Sequence, residues 1–384
     1  MKPADIENEH LIAIHKQGSP AVGTIIMFSA VLAGPNEHEH LKHGFFSKWA
    51  GDVVAIIPRT KGYFPPAAMA DVILKYRNLR CPVIAYGSSM GGYAALRYSR
   101  ALNANAVLAF APQYSISPHE APFDPIRHTY YDPALHGDMA ISKDDLVGKV
   151  FVFFDPWENI DTAHAAAIAK AGGEKVSMIR VHHVGHHVIT VALHSRKIAM
   201  MVKKVLCHSS TTMATFFRHE KKATPAYIRG VSLALSRSGR KATALAVLDA
   251  GLQEGLLAPP LLQARALILH EHGEDAAALR TIRELLDNEE FYQSYTLGDL
   301  SAAATLAANI NQLNGNQGAA IYAFRQAVAI ETQIPRLHLD LIHSLVGYDL
   351  HEEALVAARI AAELFPHLPD LNTLIRNLDS SAPV

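Results

Sequence analysis

The sequence predicts a mostly parallel α/β sheet with helices on both faces, followed by an all-α array. Three observations carry this. Over residues 11–206, short apolar runs alternate with helix-like stretches, the signature of parallel strands joined by crossover helices. The runs are continuously apolar rather than alternating, as strands buried on both sides require. From residue 226 onward no strand pattern occurs, and one short motif recurs at intervals of 34, 42 and 34 residues, a period proper to stacked helical hairpins.

The runs Leu11–Ile14 and Thr24–Ser29 are separated by Gln17-Gly18-Ser19-Pro20 and a few neighbours. That link is too short for a crossover helix, so the pair is expected to form an antiparallel edge. A loop of small residues follows, Ala30 to Pro35, and Ala30 is a candidate oxyanion N–H donor. Val53–Pro58 is the next strand, and a helix is expected over Ala67–Leu79.

The stretch that organises the rest comes next. Val83–Tyr86 reads as a buried strand. It runs into Gly87-Ser88-Ser89-Met90-Gly91, which is G-x-S-x-G, and a helix is expected over Tyr93–Leu102. Strand, sharp turn and helix are the context of a nucleophile elbow. Such a turn holds the Ser89 hydroxyl clear of the sheet. The flanking glycines let strand and helix approach without a Cβ between them. The N–H of Met90 then lies at a helix N-terminus, where it can donate to a developing oxyanion.

Ligands of open α/β sheets bind beyond the carboxyl ends of the strands, so the residues after each later strand bear on chemistry. Ala106–Phe110 leads into an irregular insert that carries Tyr114, Tyr130 and Tyr131 together with His119, His128 and His136. Its length and aromatic content fit either a cap over the site or a surface loop packed by its own side chains. After Val150–Phe154 stand three carboxylates, Asp155, Glu158 and Asp161. Asp155, at the strand end, leads as triad acid, with Glu158 and Asp161 as alternates; Asp161 also reads as a helix N-cap. After Val176–Val181 comes His182-His183-Val184-Gly185-His186-His187.

With the elbow at Ser89, carboxylates after the next-to-last strand and the Gly185-His186 step after the last, residues 11–206 resemble an α/β-hydrolase domain. The chain order, serine then acid then histidine, is that of the family's triad. The resemblance implies Ser89 as nucleophile and His186 as general base, with His183 or His187 as substitutes. It also implies an acyl-enzyme released to water or to another hydroxyl. Where the family usually has a histidine-glycine pair in its first oxyanion loop, this chain has Phe28-Ser29.

Beyond the sheet region, residues 208–225 are polar and irregular and read as a linker or first capping segment. The domains are therefore expected at 1–207 and 226–384. In the second, Gly239–Leu245, Gly273–Leu279, Gly315–Ile321 and Asp349–Leu355 align on one template. A turn residue sits between two helices and a small alanine follows where they pack. Residues 226–375 resemble a tetratricopeptide-type array, which implies a surface for a protein partner or for self-association.

Composition narrows the function classes. A formal net charge of -1 gives no electrostatic case for nucleic acid. Two cysteines, Cys81 and Cys207, lack metal-type spacing and give no disulfide framework. No apolar run is long enough to span a bilayer, and no secretory h-region opens the chain, so a cytoplasmic location is expected. No metal or cofactor motif is present. The leading function is a serine hydrolase acting on an ester or related acyl bond. The alternatives are an acyltransferase or deacylase acting on a glycan or protein, and a catalytically dead interaction scaffold.

Overall fold

A computed structural model describes the chain except residues 1–3, 20–21, 31–48, 61, 80–81, 193–199, 203, 206–209, 294–295, 367 and 382–384. Cys81, Cys207 and all but the first residue of the loop 30–35 lie outside the described residues. The contacts divide the chain into two compact units, Met1–Gly230 and Val231–Val384.

Among the described residues, the first unit is built on eight strands: β1 (Ile6–Glu7), β2 (Leu11–Lys16), β3 (Thr24–Phe28), β4 (Asp52–Pro58), β5 (Val83–Ser88), β6 (Ala106–Phe110), β7 (Lys149–Phe154) and β8 (Val176–Arg180). Their order across the sheet is β1-β2-β4-β3-β5-β6-β7-β8. From β4 to β8 every pairing is parallel, while β1 and β2 are antiparallel to their neighbours. Helices of this unit include α1 (Pro66–Tyr76), α2 (Met90–Arg97), the single turns α3 (Pro125–His128) and α4 (Pro133–His136), α5 (Asn159–Gly172) and α6 (Ser210–Glu220).

Apolar strand residues alternate between two cores, as the two-residue pleat dictates. Ile26, Phe28, Val54, Ala85 and Val107 meet Met69 and Val72 of α1, Ala94 of α2 and Ile168 of α5 on one face. Ile25, Met27, Val53, Ile84 and Leu108 meet Met213, Phe216 and Phe217 of α6 on the other.

Two expectations are corrected here. The antiparallel partner of β2 is β4, with Ile12 opposite Ile57, and not β3. The short β2–β3 link crosses the start of β4, where Gly18 N–H donates to Asp52 Oδ1 at 2.7 Å and Asp52 N–H to Gly23 O at 3.1 Å. The crossing is tight enough that a Cβ on Gly18 would overlap Gly51 O. Link length forbids a helix but does not require its two strands to be neighbours. The second correction concerns 208–225. This segment includes α6, whose Met213 and Phe217 are wholly buried in the second core. Its polar residues mark one face of a packed helix rather than a free linker.

The insert between β6 and β7 is fastened along its length. Arg97 Nη1 donates to Asp145 Oδ2 at 2.9 Å, Arg100 Nη2 to Leu146 O at 3.1 Å, and Ser99 Oγ to Asp145 O at 2.7 Å. His136 Nε2 bonds Gly62 O at 2.8 Å. Within the insert, buried Asp124 accepts from both His164 Nε2 and Arg127 Nη1 at 2.9 Å, and Tyr114 N–H donates to His164 Nδ1 at 3.0 Å.

The helices that complete the chain are α7 (Pro225–Arg237), α8 (Lys241–Gln253), α9 (Ala258–Glu271), α10 (Asp275–Leu286), α11 (Leu297–Leu313), α12 (Gln317–Ile330), α13 (Pro335–Gly347), α14 (His351–Leu364) and α15 (Pro369–Ser381). The aligned motif residues fall in four equivalent turns. Gly239, Gly273, Gly315 and Asp349 all hold positive φ, at 79°, 78°, 73° and 59°. Each follows one helix and precedes the next by two residues, and α9 with α10, α11 with α12 and α13 with α14 pack as successive hairpins, with α15 after the last. The longer 42-residue interval is taken up between α10 and α11, where a 3-10 turn, Glu289–Phe291, intervenes. This unit has its own core of Leu262, Ile282, Leu300, Phe324, Ile342 and Ala358.

Candidate active site

Ser89 stands between β5 and α2 with φ 51° and ψ -123°, a backbone conformation that costs a side-chain-bearing residue energy and persists only where its surroundings enforce it. Ser89 N–H donates to Phe110 O at 2.8 Å, and Tyr93 N–H donates to Ser89 O at 2.9 Å. These bonds tie the turn to the neighbouring strand and to its own helix. A Cβ on Gly87 would overlap Gly91 O, and one on Gly91 would overlap Phe28 O. Both glycines of the motif are therefore dictated by backbone packing. The N–H groups of Met90 and Gly91 open the first turn of α2, where no intrahelical acceptor exists for them. Ala30 is exposed and lies two residues beyond the Phe28 carbonyl that packs on Gly91.

His186 lies in a 3-10 segment, Gly185–Val191, that follows β8. Its Nε2 is 3.0 Å from Ser89 Oγ. Its Nδ1 is 2.8 Å from Asp161 Oδ2 and 3.0 Å from Oδ1. The network assigns the tautomer: Nδ1–H donates to the carboxylate, and Nε2 accepts the serine hydroxyl. Asp161 is almost wholly buried, in the first turn of α5, where the positive end of the helix dipole favours a carboxylate.

The carboxylate on His186 is thus Asp161, and the leading sequence candidate, Asp155, is corrected. Both Asp155 oxygens are occupied by backbone. Oδ2 accepts from Val184 N–H at 2.7 Å and Gly185 N–H at 2.8 Å, and Oδ1 accepts from Trp157 N–H at 3.1 Å. Asp155 ties the end of β7 to the loop that carries His186. The third candidate, Glu158, is the N-cap residue of α5, and its Oε1 lies 3.5 Å from where a Gly185 Cβ would be. Burial, reinforced by Asp161 and Asp155, raises its pKa above the usual carboxylate range.

The other loop histidines have different company. His183 adopts φ 65° and stacks on Trp157 with centroids 5.8 Å apart, and burial lowers its pKa. His187 turns its ring edge toward His186 at 6.2 Å. The sequence reading missed Gln113. It is wholly buried just past β6, with Oε1 3.5 Å from Ser89 Oγ and Nε2–H donating to Ala111 O at 3.3 Å. Its position directly after a strand end was the available signal. Among the described residues, no group of three or more His, Cys, Asp or Glu is arranged to hold a metal ion, and no helix is long and apolar enough to cross a membrane.

No family model and no curated protein matches the chain. Solved structures do. The capsule O-acetyltransferase of Neisseria meningitidis serogroup A is 15% identical, with 51% of this chain and 92% of that one covered and a TM-score of 0.36. MenH from S. aureus is 11% identical, with 56% and 100% covered and a TM-score of 0.35. An esterase of Pyrobaculum calidifontis is 13% identical, with 53% and 81% covered and a TM-score of 0.35. At these values no residue role or substrate passes from them to this chain, and the site is read from its own atoms.

Proposed function

We propose that the chain is a serine hydrolase that cleaves an ester or related acyl bond through an acyl-enzyme. The observation that supports this reading is the hydrogen-bonded line from Ser89 Oγ through His186 to Asp161, with links of 3.0 and 2.8 Å. A serine hydroxyl is a weak nucleophile at its free pKa. His186 Nε2 takes its proton as Oγ attacks the acyl carbon, and Asp161 holds the imidazole and stabilises the imidazolium. Met90 N–H, with Ala30 N–H as second donor, receives the oxyanion. His186 returns the proton to the leaving group, and water repeats the sequence on the acyl-enzyme. In the same reading, the helices of residues 226–375 form a tetratricopeptide-like array that presents a surface to a protein partner or to a second copy of the chain.

Burst kinetics with p-nitrophenyl acetate test the chemistry. Wild type is expected to release a burst of p-nitrophenol near one equivalent and to label with a fluorophosphonate at Ser89. Ser89→Ala should do neither. If wild type and Ser89→Ala are equally silent in both assays, the acyl-enzyme reading falls.

A further inference from the structure

We propose that Gln113 selects water over alcohols as the acceptor of the acyl group; this rests on the hydrolase reading above. The amide of Gln113 is wholly buried and touches the nucleophile. Its orientation follows from its second contact. Ala111 O, 3.3 Å away, can only accept, so the side-chain N–H₂ must face it and the carbonyl Oε1 must face Ser89 Oγ. The turn that holds it is constrained at both ends. Ala111 N–H donates to Phe153 O at 2.7 Å and Ala111 has φ 42°, while Tyr114 N–H donates to His164 Nδ1 at 3.0 Å.

The serine carries one hydroxyl proton, and His186 Nε2 accepts it at 3.0 Å. Gln113 Oε1 is thus a second acceptor at a site whose resting nucleophile has a single proton to offer. Deacylation changes that count. A water attacking the acyl carbon brings two O–H groups. One proton goes to His186 Nε2 as the water oxygen bonds to carbon. The other stays on oxygen and donates a hydrogen bond to Gln113 Oε1. The C–Oγ bond then breaks, His186 returns its proton to Ser89 Oγ, and a carboxylic acid leaves. An alcohol has only one O–H, which His186 takes, so Gln113 Oε1 would face an alkyl group. A buried acceptor left unpaired costs on the order of a ten- to hundredfold factor in rate.

The test counts hydrogens on the attacking atom. With p-nitrophenyl acetate as donor, wild type is offered hydroxylamine, which has two N–H hydrogens, or N-methylhydroxylamine, which has one. Each rate of acyl capture is normalised to that nucleophile's reaction with the free ester. The one-hydrogen nucleophile is expected to be captured roughly ten- to hundredfold less well. In Gln113→Met, which keeps the volume and removes the acceptor, the burst should persist, deacylation by water should slow by a similar factor and the discrimination should vanish. A burst with no discrimination in wild type overturns this proposal alone. Absence of any burst overturns the hydrolase reading beneath it. The wild-type comparison stands even if the variant fails to fold.

Discussion

Two aspartates six residues apart make different contacts around His186: Asp161 bonds its imidazole, and Asp155 accepts from the backbone of the loop that carries it. Asp161→Asn leaves a side chain of the same shape but lets the imidazole take the wrong tautomer, so kcat for acetate esters should fall by about 10³–10⁴-fold with the melting temperature little changed. Asp155→Asn presents an N–H₂ group to amides that need an acceptor and should cost about 1–3 kcal/mol of stability, read by urea unfolding. The reverse pattern would return the triad role to Asp155. The Ser89–His186 contact could be anticipated from the sequence because both residues sit in motifs whose glycines the backbone demands. Asp161 was obscured because a carboxylate in the first turn of a helix is also what ordinary helix electrostatics favours. A second residue-scale expectation concerns His164. Burial lowers its pKa, so the folded chain refuses a proton that the unfolded chain accepts below about pH 6.5. Stability should therefore begin to fall as pH drops through that value. Burial opposes ionisation of Asp124, but the bonds from His164 and Arg127 outweigh it and lower its pKa. A further loss then follows in stronger acid, as pH falls through that depressed pKa. His183 and His338 act in the same direction as His164, so His164→Gln should flatten the first decline without abolishing it. An unchanged slope would remove His164 as a source.

At the scale of elements, apolar runs located seven strands, because continuous burial leaves a simple trace in composition. They missed β1, which is two residues long, and they could not assign β2 to its partner. Partnering depends on where a connection crosses, and here that rests on the close approach of Gly18, Gly51 and Asp52. The hairpin turns were legible for the opposite reason, since a left-handed turn residue repeats in the sequence itself. Gly273 makes the point measurable. Its φ of 78° is strained for any residue with a Cβ, so Gly273→Ala should destabilise the helical unit by about 1–2 kcal/mol. Asp349→Gly, at the equivalent turn, should not destabilise by a similar amount. Equal losses in the two variants would show that the turn conformation is not what those residues supply.

At the scale of the whole molecule, each unit encloses a core of its own among the described residues. Calorimetry of the full chain is expected to resolve two transitions. Covalent labelling of Ser89 should raise only the one that reports the sheet. A single transition that shifts as a whole would show the units to be one cooperative body. The contacts divide the chain after Gly230, a few residues beyond the point where the strand pattern is lost. The segment before it deceived, because a helix with one polar face looks like a linker until its apolar face finds a sheet.

The bonds from Asp155 to Val184 and Gly185 also impose a timetable. Synthesis delivers the chain from its amino end, so Ser89, Gln113, Asp155 and Asp161 leave the ribosome before His186. The elbow and both aspartates can be in place while the base is still unmade. Only when β8 adds itself to β7 does Asp155 find the amides it was waiting for, and that same docking brings the imidazole to the serine. Under the proposed function, Ser89 therefore has no base until synthesis has passed residue 186, and ester cleavage is expected only from chains that have been made beyond β8.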